Sequence, residues 1–248
     1  MIYGVHPVVE TVKAGKRHVE AVYLARISTS AVELVARIEN AGIPITSSSA
    51  DEISSLTGSP HHQGIAARVG PFPYADLDDL LSGNGPTHGP MLILDEVQDP
   101  ANLGNILRSA DCLGAPAVVI AKDRSVAITP VVEKAAAGAS AHIRIIRVVN
   151  LVRAIEQLKS SGFWIYGTHQ EGRQTVYSLD LSGQVAFVLG SEGKGMRRLV
   201  REKCDEVVSI PIVGQTESLN VSQTAAIVLA ETLRQRIARK ETIPGLST

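Results

Sequence analysis

The chain has 248 residues, 44% of them hydrophobic and 20% charged, with a formal net charge of −1. That is enough apolar material for a soluble globular protein of one large or two small domains. Two cysteines, Cys112 and Cys204, are too few for a disulfide framework and fit a reducing cytoplasm, where each reads as a small buried hydrophobe. No apolar run approaches the ~20 residues needed to cross a bilayer, so no membrane role is expected.

Residues 1–70 read as a small α/β unit. Helices are expected around Val8–Lys13, Ser30–Ala41 and Asp51–Leu56, with strands at Val19–Leu24, Ile43–Thr46 and Gly64–Val69. His6, His18, His61 and His62 fall here, but without further Cys or carboxylate partners at ligand spacing, so no metal site is expected. Residues 71–90, rich in proline and glycine around an acidic patch, read as a linker with one helical turn at Leu77–Leu81. The domain boundary is therefore placed there, leaving 91–248 as the second domain.

From Met91 onward apolar strands alternate with helices. Met91–Leu94 precedes a helix Asn102–Leu113, Ala117–Ala121 precedes Pro130–Ala137, and Ile143–Arg147 precedes Leu151–Ser160. Phe163–Thr168 leads into a polar segment, and two further strands follow at Val185–Leu189 and Val207–Ile210. Continuous apolar strands separated by helices predict a parallel sheet covered on both faces. The last helix, Asn220–Lys240, places Val221, Ala225, Val228 or Leu229, Leu233 and Ile237 on one side, with Arg234, Arg236, Arg239 and Lys240 largely elsewhere.

Charge is uneven along this half. Residues 71–99 carry six acids and no lysine or arginine, whereas 120–155 carry Lys122, Arg124, Lys134, Arg144, Arg147 and Arg153 against Asp123 and Glu133. A basic face can coexist with a neutral total. Charge alone does not separate an RNA-contacting face from a solvated one.

Three loops stand out as places to hold a ligand. Gly190-Ser191-Glu192-Gly193-Lys194-Gly195 follows one strand, with glycines that permit close approach or positive φ. Pro211–Leu219 follows the next and ends in Ser218-Leu219-Asn220 at the mouth of the last helix, where amide donors are free. Upstream, Leu94-Asp95-Glu96-Val97-Gln98-Asp99-Pro100-Ala101-Asn102-Leu103-Gly104-Asn105-Ile106-Leu107-Arg108-Ser109-Ala110-Asp111 puts Asn102 and Arg108 at the start of a helix. The glycine order matches neither the dinucleotide fingerprint nor the phosphate-binding loop, which argues against a nicotinamide enzyme.

In this order and spacing the three segments resemble the motifs of the SpoU branch of the SPOUT RNA methyltransferases. The opening Ile2-Tyr3-Gly4-Val5-His6-Pro7-Val8 resembles members that methylate a guanosine ribose 2′-hydroxyl in large-subunit ribosomal RNA. The resemblance implies an α/β fold in which a parallel-sheet C-terminal domain carries a deep trefoil knot. It also implies that 1–70 is a substrate-binding domain like a ribosomal protein that recognises RNA kink-turns. It further implies a cytoplasmic homodimer that uses S-adenosylmethionine and no metal.

Carried onto this sequence, the resemblance places the cofactor against Gly190, Ile210 and Leu219, with Thr168, Leu189, Pro211 and Ser218 nearby. On the substrate side it points to Asn102, Arg108, Glu192, Ser218 and Asn220. Arg108 is too weak an acid to serve readily as a base, and is expected to pair with an RNA phosphate and hold the attacking hydroxyl. Asn102 either belongs to this site or caps its helix. Glu192 and Asn220 would orient Arg108 and shape the loops. The alternatives are a transfer-RNA ribose methyltransferase and a non-catalytic ribosome-assembly factor on the same fold.

Overall fold

The computed structural model describes residues 1–25, 32–83, 89–243 and 245. Ser30 and Ala31 of the second expected helix and 84–88 of the expected linker lie outside the described residues. The chain divides into two compact units, Met1–Pro73 with Ile128–His142, and Tyr74–Ala127 with Ile143–Thr248.

The first unit is built on a four-stranded sheet in the order β1-β4-β2-β3, from β1 (Ile2–Tyr3), β2 (Val19–Leu24), β3 (Ile45–Ser47) and β4 (Ile65–Val69). β4 runs antiparallel to both β1 and β2, and β3 runs parallel to β2. Val22, Leu24, Ile65 and Ala67 pack with Val8 of α1 (Val5–Ala14) and with Leu34 and Ile38 of α2 (Val32–Asn40). On the other face Tyr3 and Ala66 meet Ile53 of α3 (Ala50–Thr57). Ser49 and Glu52 close a reciprocal capping box at the start of α3, with bonds of 3.2 and 2.7 Å.

The second unit holds seven strands in the order β7-β6-β5-β10-β8-β11-β9, and every paired register is parallel. They are β5 (Met91–Asp95), β6 (Ala117–Ala121), β7 (Arg144–Val148), β8 (Trp164–Thr168), β9 (Gln174–Thr175), β10 (Val185–Gly190) and β11 (Glu206–Ser209). β9 falls inside the polar segment, too short to leave a pattern. Beyond β7, Ala75 bridges Ile146 in parallel.

Met91, Ile93, Ala186 and Val188 face a core that includes Leu151, Ile155 and Leu158 of α7 (Leu151–Ser160) and Val200 of α8 (Arg198–Lys203). Leu77 and Leu80 of α4 (Leu77–Leu81) join the same core, so the expected helical turn is anchored by its apolar residues. Alternation turns Leu92, Leu94 and Phe187 to the opposite face, over which α5 (Pro100–Cys112) and α9 (Val221–Ala238) pack together.

Three expectations change. Helix α6 (Pro130–Ala135), read as a cover for the parallel sheet, belongs with the first unit, where buried Glu133 meets Arg17 at 2.9 Å and Lys134 meets Gln63. Arg236, assigned to the polar side of α9, is 5% exposed because Glu241 folds back to it at 2.8 Å, and Ile237 is exposed instead. Cys112 ends α5 in solvent, whereas the Cys204 thiol is pushed up to about 12 by burial.

Candidate active site

All strands of the second unit point the same way, so β5, β8, β10 and β11 deliver their C-terminal loops to one edge of the sheet. Two cavities lie there. The first, about 450 Å³, is lined by Thr168 and His169 after β8, by Leu189 to Gly195 along β10 and its loop, and by Ile210, Ser218, Leu219 and Asn220. The second, about 260 Å³, is lined by Glu96 to Asp99 after β5, by Asn102, and by Ser191, Glu192, Lys194 and Val221. Ser191, Glu192, Lys194 and Val221 are common to both.

Side chains from three distant segments meet where the cavities join. Asn102 Nδ2 donates to Glu192 Oε1 at 2.9 Å across 90 residues. Asn220 Nδ2 donates to the same oxygen at 2.6 Å and to Asn102 Oδ1 at 2.9 Å across 118 residues. The Asn220 Oδ1 accepts from the Ser222 amide at 2.8 Å, making Asn220 the N-cap of α9 as well. Asn102 does not cap its own helix. Asp99 takes that position, accepting from Ala101 and Asn102 amides, which leaves the Asn102 side chain for the site.

The β10 loop is a tight return. Ser191 and Gly195 exchange backbone hydrogen bonds of 3.2 and 2.9 Å, and Gly193 and Gly195 adopt φ of 81° and 64°. The structure adds a requirement for Gly190 that the sequence does not show. A Cβ there would collide with the backbone of Gly195 and Met196, so the loop closing on its own strand excludes a side chain. Behind the loop, fully buried Asp95 accepts from the Arg197 amide and Nε, both at 2.7 Å, locking the end of β10's loop to the end of β5.

Of the expected cofactor residues, Thr168, Leu189, Gly190, Ile210, Ser218 and Leu219 line the first cavity, and Pro211 does not. Of the expected substrate residues, Glu192, Ser218 and Asn220 line it, and Asn102 reaches it through its bonds. Arg108 lines neither cavity. It is exposed on α5 and makes no hydrogen bond or ion pair among the described residues. His169, Gln170, Lys194, Ile212 and Glu217 also line the first cavity and were not singled out from sequence. His169 and Gln170 were detectable in principle, since they directly follow the strand-end Thr168.

Residues 89–230 match the SpoU rRNA Methylase family, and residues 1–75 match the RNA 2'-O ribose methyltransferase substrate binding family. The chain belongs to the SpoU rRNA Methylase family. It is 39% identical to the 23S rRNA (guanosine-2'-O-)-methyltransferase RlmB of Ralstonia nicotianae, over 95% of this chain and 96% of that one. It is 40% identical to a putative TrmH family tRNA/rRNA methyltransferase of Staphylococcus saprophyticus, over 95% of this chain and 96% of the relative. Among solved structures, the SpoU methyltransferase AviRb from Streptomyces viridochromogenes in complex with the cofactor AdoMet aligns with a TM-score of 0.80. That alignment covers 96% of this chain and 90% of that one at 25% identity. Within this SpoU chain, the described residues include no group of His, Cys, Asp and Glu arranged to hold a metal ion, and no helix long and apolar enough to cross a membrane.

Proposed function

We propose that the chain methylates the ribose 2′-oxygen of a guanosine in large-subunit ribosomal RNA, taking the methyl group from S-adenosylmethionine. The observation that carries this reading is the joining of Asn102, Glu192 and Asn220 at the wall shared by two adjacent cavities. One cavity suits the donor and its neighbour the acceptor.

The larger cavity has a volume suited to a small-molecule ligand. Leu189, Ile210 and Leu219 supply apolar contact, and the Gly190 backbone and the Ser218 and Thr168 side chains supply polar contact. When bound, S-adenosylmethionine supplies the electrophilic methyl carbon. The chain's own task is to hold the acceptor in a water-poor site, where orientation is a large part of the rate. Asn102 and Asn220 fix the Glu192 carboxylate at the wall between the cavities, where it orients what binds on the acceptor side.

Arg108 is read as a planar cation that pairs with RNA phosphate. Because it reaches neither cavity of its own chain, we assign it to the site of a second copy, which supports a homodimer. We also read the C-terminal segments as a threaded trefoil, a reading supported by the match of residues 89–230 to the SpoU rRNA Methylase family. A ribosomal RNA substrate supports a cytoplasmic protein.

Mapping 2′-O-methylated riboses in RNA from cells with and without the protein tests the reading. Loss of one large-subunit guanosine modification is expected. Loss confined to a transfer RNA would move the substrate, and absence of S-adenosylmethionine uptake by the pure protein would overturn the assignment.

A further inference from the structure

The edge that carries the two cavities does not stop at them. The registers place Leu189, Leu94, Ile120 and Arg147 in one row across β10, β5, β6 and β7. Adjacent strands are about 5 Å apart, so the ends of β6 and β7 extend the rim roughly 10 Å past the second cavity. Along that extension stand Lys122 and Arg124 after β6 and Arg147 near the end of β7, all exposed. Asp123 is the exposed acid among them.

The two guanidiniums are held in place. Arg124, in a left-handed backbone conformation with φ 60°, reaches Glu96 Oε1 at 3.4 Å while 70% of its side chain remains exposed. Glu96 is itself left-handed, with φ 60°, and lines the second cavity. Arg147 donates to the Lys122 carbonyl at 3.1 Å and lies over the Tyr74 ring at 5.4 Å. The Lys122 ammonium makes no hydrogen bond among the described residues. The three solvent-facing cations, two of them tethered and Arg124 also on a left-handed backbone, stand in a row beside a cavity, and backbone phosphates of RNA present charge in that way.

We propose that this rim is a phosphate track, in which Lys122, Arg124 and Arg147 hold the RNA strand flanking the nucleotide presented at the second cavity. The proposal rests on reading the site as an RNA ribose methyltransferase. It accounts for a neutral protein binding a polyanion, since the charge is concentrated where the strand runs.

The test uses the full-length protein, a fragment of large-subunit ribosomal RNA, and the triple variant Lys122→Gln, Arg124→Gln, Arg147→Gln. RNA affinity is followed against salt. Each lost phosphate contact should lower the slope of log affinity against log salt by about 0.7, so the triple variant should lose about 2. Affinity at low salt should fall on the order of tenfold or more, with S-adenosylmethionine binding by calorimetry unchanged. Lys122→Gln alone, which removes no internal contact, should show the single-contact decrement even if the triple variant folds poorly. Lys203→Gln, beside the start of β11 at the opposite end of the sheet, should leave the slope as it is. Equal slopes for parent and Lys122→Gln, or for parent and a folded triple variant, would overturn the track while leaving the methyltransferase reading intact. A parent that takes up neither cofactor nor RNA would overturn both.

Discussion

Asn220 Nδ2 lies 2.6 Å from Glu192 Oε1, and the same side chain caps α9 through its oxygen. One residue thus serves the helix with one end and the site with the other, and the two roles are separable. Serine caps as well as asparagine, so Asn220→Ser should change stability to urea by no more than ~0.5 kcal/mol. It cannot reach Glu192 with an amide, and turnover should fall on the order of a hundredfold through lost positioning. Asn220→Asp keeps the cap but sets a carboxylate against Glu192. Its folded pair binds a proton more tightly than the unfolded chain, so that variant should lose stability as pH rises through the raised folded value.

The crowding around Gly190 makes a sharper prediction than its place in a glycine-rich loop. Gly190→Ala drives a methyl group into the Gly195 and Met196 backbone, neither of which is a flexible side-chain tip. A loss of about 3 kcal/mol in urea unfolding, with no detectable cofactor uptake, is expected. Gly193→Ala meets open space and only a positive φ, so it should cost about 1 kcal/mol. Similar losses for the two would contradict this account of the loop.

In the first unit, burial raises the Glu133 carboxyl pKa while Arg17 pulls it back. A raised folded value means that proton binding favours the folded state. That contribution is complete below the ordinary carboxylate range and is lost as pH rises through the folded pKa. Relative to Glu133→Gln, which binds no proton, the parent should therefore become less stable across that window. Glu133→Ala strands Arg17, whose side chain is 14% exposed, and should cost about 3 kcal/mol by denaturant titration.

If Arg108 serves a second copy, two dead variants should rescue each other. Arg108→Gln and Asn220→Ala each lack turnover alone, and mixed dimers would regenerate one intact site. Co-refolding equal amounts should restore about a quarter of parental turnover. No recovery, with mixed dimers demonstrated by tagging, would return Arg108 to its own chain's site or to none.

The loops of the candidate site were legible because they follow strong apolar strands. The choice of residues within them came from the resemblance, and the structure brings Asn102, Glu192 and Asn220 of that set together. The parallel sheet was legible too, since β5, β6 and β10 are buried on both faces and read as unbroken hydrophobic runs. Local pattern cannot report which body a helix packs against, and α6 has the same composition whether it covers the sheet or joins α1 and β1. It also misplaced Arg236, because a cation buried by Glu241 looks like any solvated helix charge until the chain turns back. For Gly190 local pattern pointed to close approach, but not to the loop's own backbone as one of the groups that makes it.

The excursion of residues 128–142 into the first unit means that the polypeptide passes between the two bodies three times, after Pro73, after Ala127 and after His142. No single peptide cleavage can release either one. A protease nick at the first passage would leave two covalent tethers in place, and removal of residues 1–73 would strip α6 of the partners that bury it. The first unit is therefore not a detachable appendage, and exchanging it between relatives requires transplanting two pieces of chain together.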